Sequence, residues 1–281
     1  MDKNDLMKLL NNVQGDGDDT PKEKRIIMID ALNLFFRNFA VIGTLNSNGA
    51  HVGGLGGFFR SLGALIKNIE ADQVYVVFDG IGGSESRKNI IPEYKSGRRQ
   101  SRITNWEAFD SVEDENDSQI DQIQRIAQYL KTLPVKTIQI DKVEADDVIA
   151  YMGVELAKDP INKIFIVSSD KDYLQLVQEN LIVYRPIEKK YYTPSTILDS
   201  FGCSVENFIL FKLLMGDGSD KIEGLKGLGP KKLYKFFPEL RGKKLGLDGL
   251  LELAESKLGE HILYARLLSD PHGLKKKYKV M

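Results

Sequence analysis

The sequence contains a single cysteine, Cys203, which excludes a disulfide framework and a metal site built from several thiolates. It has no run of about eighteen apolar residues, so we expect no membrane-spanning helix. The first nineteen residues, MDKNDLMKLLNNVQGDGDD, lack the apolar segment of a secretory signal. With 42% hydrophobic and 28% charged residues among 281, the composition is globular, and we expect a cytoplasmic protein.

The net charge of the chain is only −1, but its charges are unevenly distributed. From Lys221 to the end there are fourteen Lys and Arg residues against seven Asp and Glu residues. Acidic residues elsewhere tend to stand singly at the ends of apolar runs. This pattern is consistent with cations held in an acidic pocket and phosphates held on a basic flank.

Short apolar runs alternate with longer stretches of helical periodicity. The runs are nearly continuous, as in parallel strands buried on both faces. They are IIMID (26–30), VYVVFD (74–79), VKTIQI (135–140), IFIVSSD (164–170) and LIVY (181–184). Helices are predicted over 54–69, 119–131, 145–157, 194–200, 205–215, 230–237 and 247–258. The alternation predicts an α/β fold with a mostly parallel central sheet and helices on both faces.

The same pattern predicts three segments. Residues 1–24 form a flexible acidic tail. Residues 25–185 form an α/β core, with a long insertion at about 80–120 of the kind that is usually functional. Residues 186–281 form a helical subdomain, since the strand signal ends there.

Three of the apolar runs end at or just before an aspartate, namely Asp30, Asp79 and Asp170. Ligand sites of open α/β sheets lie beyond the carboxyl ends of the strands, so these side chains should face one edge of the sheet. The alternative is that each aspartate forms a turn or caps a helix, and for any single aspartate that alternative is favoured. For a whole set of acids, this alternative would have to be repeated for each residue.

Three further motifs supply the rest of the set: VEADD (143–147), SSDKD (168–172) and MGDGSD (215–220). Acids at a helix start also interact well with the helix dipole, which would explain one or two of them. The nine acids together are Asp30, Asp79, Glu144, Asp146, Asp147, Asp170, Asp172, Asp217 and Asp220.

Carboxylates that converge in one pocket repel each other. Two like charges 4 Å apart cost about 4 kcal/mol at an effective dielectric constant near 20. Divalent cations would offset this repulsion, and all-oxygen ligands favour Mg²⁺, with Mn²⁺ as a substitute, over zinc. Two such ions form the usual clamp for phosphodiester hydrolysis.

The ordered motifs MIDALN, VVFDG, EYKSGRR, VEADD, SSDKD and GDGSDKIEGLKGLGPKK resemble the flap endonuclease/5′ nuclease superfamily. The resemblance spans roughly 25–237 and is closest to the bacteriophage 5′–3′ exonucleases, including the phage enzyme named ribonuclease H. It implies a PIN-like core and a Mg²⁺-dependent 5′–3′ exonuclease and flap endonuclease, with RNA-primer removal during replication as a further role.

The resemblance also divides the acids between two metal sites. Asp30, Asp79, Glu144 and Asp146 correspond to the first site. Asp147, Asp170, Asp172 and Asp217 correspond to the second, with Asp220 as a more distant ligand.

Five residues of the insertion receive roles from the resemblance. Lys95 matches the active-site lysine and Arg87 its companion arginine, both on the scissile phosphate. Tyr94 matches a residue on which a terminal base can stack. Arg98 and Arg99 are expected to steer backbone phosphates. The alternative for all of them is a solvated basic helix.

Residues 222–237 resemble a helix–hairpin–helix element, in which Gly227 and Gly229 allow a tight turn. Lys231 and Lys232 would then contact a duplex backbone without reading bases. In such relatives the hairpin also holds a K⁺ ion. A plain glycine-rich turn between helices is the alternative.

Two other functions remain open on the sequence: a PIN-like ribonuclease and a structure-specific DNA-binding protein without catalysis. The expected partners are branched or flapped DNA, RNA–DNA duplexes, a single-strand binding protein and a sliding clamp. We expect a monomer, in the host cytoplasm if a phage encodes it.

Overall fold

A computed structural model describes residues 22–83, 85, 89, 102–218 and 222–281. Six residues with predicted roles lie outside these ranges: Arg87, Tyr94, Lys95, Arg98, Arg99 and Asp220.

The centre of the fold is a six-stranded sheet in the order β3-β2-β1-β4-β5-β6. Its strands are β1 (Lys24–Asp30), β2 (Gln73–Phe78), β3 (Lys136–Gln139), β4 (Asn162–Val167), β5 (Leu181–Arg185) and β6 (Lys190–Tyr192). All neighbouring pairs are parallel except β5 and β6. The mostly parallel sheet predicted from the apolar runs is confirmed.

Both faces of this sheet are buried, because successive residues of an apolar strand point to opposite sides. Ile27 and Ile29 of β1 belong to one apolar cluster, whereas Ile26 and Met28 belong to the other. The two clusters explain why the strand sequences read as continuous apolar runs rather than alternating ones.

Helices α1 (Ala31–Val41), α2 (Gly53–Ile69) and α3 (Val112–Leu130) cover the first face, and α4 (Ala145–Ala157) packs on the second. Helix α1 begins directly after β1, with Asp30 as its N-cap. The pattern of apolar runs does not predict α1, because its sequence ALNLFFRNFAV is largely apolar and follows the apolar strand without a break.

After the sheet, the described residues form helices α5 (Pro194–Phe201), α6 (Phe208–Met215), α7 (Pro230–Phe236), α8 (Gly246–Ser256), α9 (Ile262–Leu268) and α10 (Pro271–Val280). Two-residue strands β7 (Gly216–Asp217) and β8 (Ile222–Glu223) form a separate antiparallel pair between α6 and α7. These helices share the second apolar cluster with the sheet, as Leu213, Leu250 and Tyr264 show. The division into domains stays a prediction.

The sheet extends past the expected end of the core, since β6 ends at Tyr192. Strand β6 has only three residues and one buried side chain, so it gives little apolar signal. The last two helices were also not predicted. No helix in the described ranges could cross a membrane.

Helix α3 begins at Val112, seven residues before its predicted start. The residues by which it is longer are mostly acidic and form the N-terminal end of the helix. Ser111 caps the helix, and three acids follow in the first turn, where the helix dipole favours them. One of them, Glu115, is fully buried and accepts hydrogen bonds from the backbone amides of Thr104 and Asn105 at 2.8 Å. The acid therefore anchors the chain where it returns from the insertion.

We expect Glu115→Ala to lower the free energy of unfolding by about 2 to 4 kcal/mol, because it removes a buried carboxylate and leaves the amides of Thr104 and Asn105 without their acceptor. Glu113→Ala, on an exposed position of the same turn, should change it by no more than about 0.5 kcal/mol. Chemical denaturation of both variants measures the difference. Equal effects would contradict an anchoring role for Glu115.

Candidate metal centre and nucleic-acid interface

A pocket of about 530 Å³ lies where the carboxyl ends of β1, β2 and β4 meet. Strand β1 lies between β2 and β4, so the chain connections diverge at this point of the sheet, which is where α/β folds place ligands. Four of the predicted acids line it: Asp30, Asp79, Asp146 and Asp170.

Local backbone structure fixes three of these acids. Asp30 Oδ1 accepts from the amide of Asn33 at 2.9 Å and so caps α1. Asp79 Oδ1 accepts from the amide of Ala145 at 2.6 Å, at the first residue of α4. Asp170 Oδ1 accepts from the amide of Asp172 at 2.9 Å. These three acids therefore make backbone hydrogen bonds and also line the pocket.

The acids of the pocket repel one another. Burial raises the pKa of Asp30 to about 7, against the lowering effect of its hydrogen bond from Asn33, and the charges of Asp146, Asp79 and Asp170 raise it further. At neutral pH the pocket therefore holds more negative charge than it can stabilise alone, which is a property of cation sites.

Two buried hydroxyl groups border the acids. The hydroxyl of Tyr173 and Oγ of Ser169 have no hydrogen-bond partner within the described part of the chain. Burial and the four acids of the pocket raise the pKa of Tyr173 well above its ordinary value, so its hydroxyl stays protonated. Buried polar groups without partners are uncommon and mark places where water or an ion binds.

Arg37 also lines the pocket and was not predicted. Burial lowers its pKa from the ordinary value, although an arginine remains charged. Its Nε has no partner within the described residues, so it can donate to a ligand. The signal in the sequence was weak, since an arginine in an apolar helix looks like an ordinary surface residue.

The candidate ligands of the pocket, four carboxylates and two unpaired hydroxyl groups, fit a hydrated divalent cation. The raised pKa of Asp30 is consistent with such a site. Over the ranges described, however, no three acidic, histidine or cysteine side chains are arranged to hold one ion. Three of the pocket's carboxylates accept backbone hydrogen bonds, so they would have to reorient, or share an ion through water.

The other predicted acids lie elsewhere around the pocket. Glu144 is buried at the N-cap of α4, and Asp147, three residues on, is exposed. Asp172 and Asp217 are close to each other through Lys212, whose Nζ lies 2.9 Å from Oδ2 of Asp217 and contacts Oδ1 of Asp172. These two acids therefore form a second acidic cluster, separate from the lining of the pocket.

Lys212 was also not predicted. Burial alone would lower its pKa, but Asp172 and Asp217 outweigh that effect, and its pKa is raised above the ordinary value. In the sequence FILFKLLM it reads as one polar residue on an apolar helix, and nothing marks its two partners.

The predicted hairpin connects α6 to α7. Gly227 has a φ of 86°, a conformation that favours glycine, and a Cβ there would lie 2.8 Å from Nη1 of Arg266. Gly229 is the N-cap of α7. Lys231 and Lys232 are exposed at the start of that helix, and Nζ of Lys232 donates to the carbonyl of Gly227 at 3.1 Å.

The last two helices hold this hairpin through its backbone. Arg266 of α9 donates to the carbonyl of Lys226, and Lys277 of α10 donates to the carbonyl of Glu223, each at 2.8 Å. The basic C-terminal segment, which has no motif of its own, therefore supports the hairpin. Lys275, Lys276 and Lys279 of the same helix α10 are exposed.

Comparisons with known proteins agree with this geometry. The family described as "5'-3' exonuclease, N-terminal resolvase-like domain" matches residues 25–202. A 5′–3′ exonuclease of Aquifex aeolicus is 30% identical over 209 residues, which cover 74% of this chain and 67% of that protein. DNA polymerase I of Bacillus subtilis is 27% identical over 248 residues, and there the match covers 86% of this chain but only 26% of the polymerase.

Solved structures show the same fold. The T5 D15 protein co-crystallised with metal ions is 21% identical, with a TM-score of 0.69 over 91% of this chain and 88% of that one. A T5 D15 flap endonuclease complex with DNA and metal ions is 22% identical, with a TM-score of 0.70 over the same shares. The family match over most of the chain, with the 30% identity to a 5′–3′ exonuclease, shows that this chain belongs to the 5′–3′ exonuclease family.

Proposed function

We propose that this chain is a divalent-metal-dependent 5′ nuclease, with 5′–3′ exonuclease and flap endonuclease activity on branched or nicked duplexes. The observation that carries the proposal is the set of four carboxylates at the point where β1, β2 and β4 end, in a pocket that raises the pKa of Asp30 to about 7. Family membership supports the same activity.

Mg²⁺ is the proposed physiological ion and Mn²⁺ a substitute, because the candidate ligands are carboxylates and hydroxyl groups. The first ion is assigned to Asp30, Asp79, Glu144 and Asp146. The second is assigned to Asp147, Asp170, Asp172 and Asp217, with Asp220 further out. When bound, the pair of ions would activate water and neutralise charge that develops on the phosphate. Solved structures of the T5 5′-exonuclease with divalent ions support a metal requirement.

The protein's own residues would bind and orient the phosphodiester. Arg37 lines the pocket with Nε unpaired among the described residues, so it can donate to a phosphate oxygen beside the acids. Lys95 and Arg87, which lie outside the described residues, are proposed to contact the scissile phosphate, and Tyr94 to stack on a terminal base.

Duplex binding is assigned to the hairpin. Lys231 and Lys232 are exposed beside Gly227 and Gly229, so they can reach backbone phosphates without base contacts. Arg98 and Arg99 would steer the strand, and a K⁺ ion at the hairpin is part of the proposal. The complex of T5 D15 flap endonuclease with DNA supports a flapped or nicked substrate.

A replication role is proposed as well. The relationship to DNA polymerase I supports it, and RNA-primer removal, a single-strand binding protein and a sliding clamp fit that role. We propose that the protein acts as a monomer in the cytoplasm. Cleavage assays on 5′-flap, nicked and RNA-primed duplexes, with Mg²⁺ and with EDTA, test the activity and rank the substrates.

We expect Asp146→Asn to lower kcat on a 5′-flap duplex by about 100- to 1,000-fold with little change in DNA affinity, because it removes a carboxylate from the pocket but no phosphate contact. Asp141→Asn, an exposed aspartate outside the pocket, is the matched control and should cut normally. Single-turnover cleavage and fluorescence anisotropy separate the two effects. Undiminished cutting by Asp146→Asn would contradict the assignment.

Replacing Lys231 and Lys232 together by alanine should weaken duplex binding evenly across sequences. The slope of log K against log salt should fall by roughly one to two units, since each phosphate contact releases counterions. The control pair, Lys67→Ala with Lys131→Ala, lies where α2 and α3 lead into the amino ends of strands, away from the carboxyl edge. If both pairs leave the slope unchanged, the hairpin does not contact phosphate.

In EDTA, the free energy of unfolding should fall as the pH rises from about 4 to about 7. The folded protein then holds a proton on Asp30 that the unfolded chain has released, so stability is lost as this proton leaves. Relative to Asp30→Asn, the wild type should lose about 2 to 4 kcal/mol over this range, from roughly 1.4 kcal/mol per unit of pKa shift. Parallel pH profiles for the two proteins would refute the raised pKa of Asp30, and saturating Mg²⁺ should remove the difference.

A further inference from the structure

The second acidic cluster already contains a cation. Lys212 is on α6, its side chain is 5% exposed, and its Nζ reaches Asp172 and, at 2.9 Å, Oδ2 of Asp217. These are two of the carboxylates assigned to the second metal ion, and their own side chains are only 21% and 12% exposed.

Burying an ammonium group in an apolar helix is costly unless carboxylates compensate for it. Helix α6 reads FILFKLLM, so Lys212 is the one charged residue in that sequence. An apolar side chain would suit the packing of the helix better. The lysine is explained if it serves Asp172 and Asp217, whose negative charges would otherwise be held close together.

The charged groups of the pocket that holds Asp30 are arranged differently. Four acids and Arg37 line it, whereas Asp172 and Asp217 lie directly against a buried ammonium. Asp172 is also next to the pocket, since its amide donates to Asp170. At Asp172 and Asp217 an incoming ion therefore has to compete with a cation of the protein itself.

We propose that Lys212 is a built-in counter-cation at the second acidic cluster, and that a divalent ion binds Asp172 and Asp217 by displacing its ammonium group. The inference rests on the proposed function, because it concerns the second ion of that site. The two ions then bind unequally: the pocket of Asp30 fills first, and the cluster of Asp172 fills at higher concentration.

The test is a Mn²⁺ titration of the DNA-free protein, with free Mn²⁺ measured by electron paramagnetic resonance. Lys212→Met removes the charge but keeps the length of the side chain, and Lys212→Arg keeps the charge as the matched control. We expect the weaker class of Mn²⁺ site to bind at least about tenfold more tightly in Lys212→Met. The Arg variant should stay close to the wild type.

Adding Asp172→Asn to Lys212→Met should abolish the gain, because it removes a ligand of the same ion. Unchanged or weaker Mn²⁺ binding by a folded Lys212→Met protein would overturn the proposal. So would an equal gain in Lys212→Arg.

A measurement on the wild type covers the case in which Lys212→Met does not fold. An amine-reactive ester should modify Lys212 slowly without metal, and mass spectrometry reads each lysine separately. Its rate should rise several-fold once Mn²⁺ fills the weaker sites, whereas Lys131, which is exposed and belongs to neither proposed metal site, should react equally in both conditions. A Lys212 that stays protected at saturating Mn²⁺ would overturn the displacement.

Failure of this inference and failure of the proposed function give different results. If the wild type cleaves flaps but Lys212→Met binds Mn²⁺ as before, the nuclease stands and the counter-cation is wrong. If Mn²⁺ binding responds as expected but no duplex is cut, the counter-cation stands and the nuclease assignment is wrong.

Discussion

The meeting of three parallel strand ends is the constraint on which the functional part of the molecule depends. Strand β1 lies between β2 and β4, so Asp30, Asp79 and Asp170 come together because the sheet has this order. Asp146 joins them because Asp79 accepts a hydrogen bond from Ala145, at the first residue of α4. The topology therefore brings the charges together, and capping bonds hold three of the four carboxylates in place.

Crowded carboxylates must be neutralised, and the protein does so in two ways. At the pocket, the pKa of Asp30 rises, so a proton is retained where no cation is bound. At Asp172 and Asp217 a buried lysine supplies the positive charge. Lys212 also connects two distant parts of the chain. Asp172 lies in the segment after β4, and Asp217 lies in β7, which precedes the hairpin.

The sequence predicted the features that repeat or follow a motif: five strands, most core helices and the four acids of the pocket. It did not predict features that depend on a tertiary partner. Arg37 and Lys212 look like isolated polar residues until the fold places acids beside them. Strand β6 is too short for an apolar signal. The role of Glu115 could not be predicted either, because it depends on amides ten or eleven residues away along the chain.

The hairpin and the C-terminal basic segment are connected by hydrogen bonds. A glycine-rich turn gains its shape from Gly227, but its backbone carbonyls still need donors. Arg266 and Lys277 supply them from α9 and α10, as Lys232 does for the carbonyl of Gly227. Several basic side chains of this region are exposed, namely Lys231 and Lys232 of α7 and Lys275, Lys276 and Lys279 of α10. The excess of basic residues near the C-terminus therefore includes side chains that hold the backbone of the hairpin and exposed side chains to which we assign duplex binding.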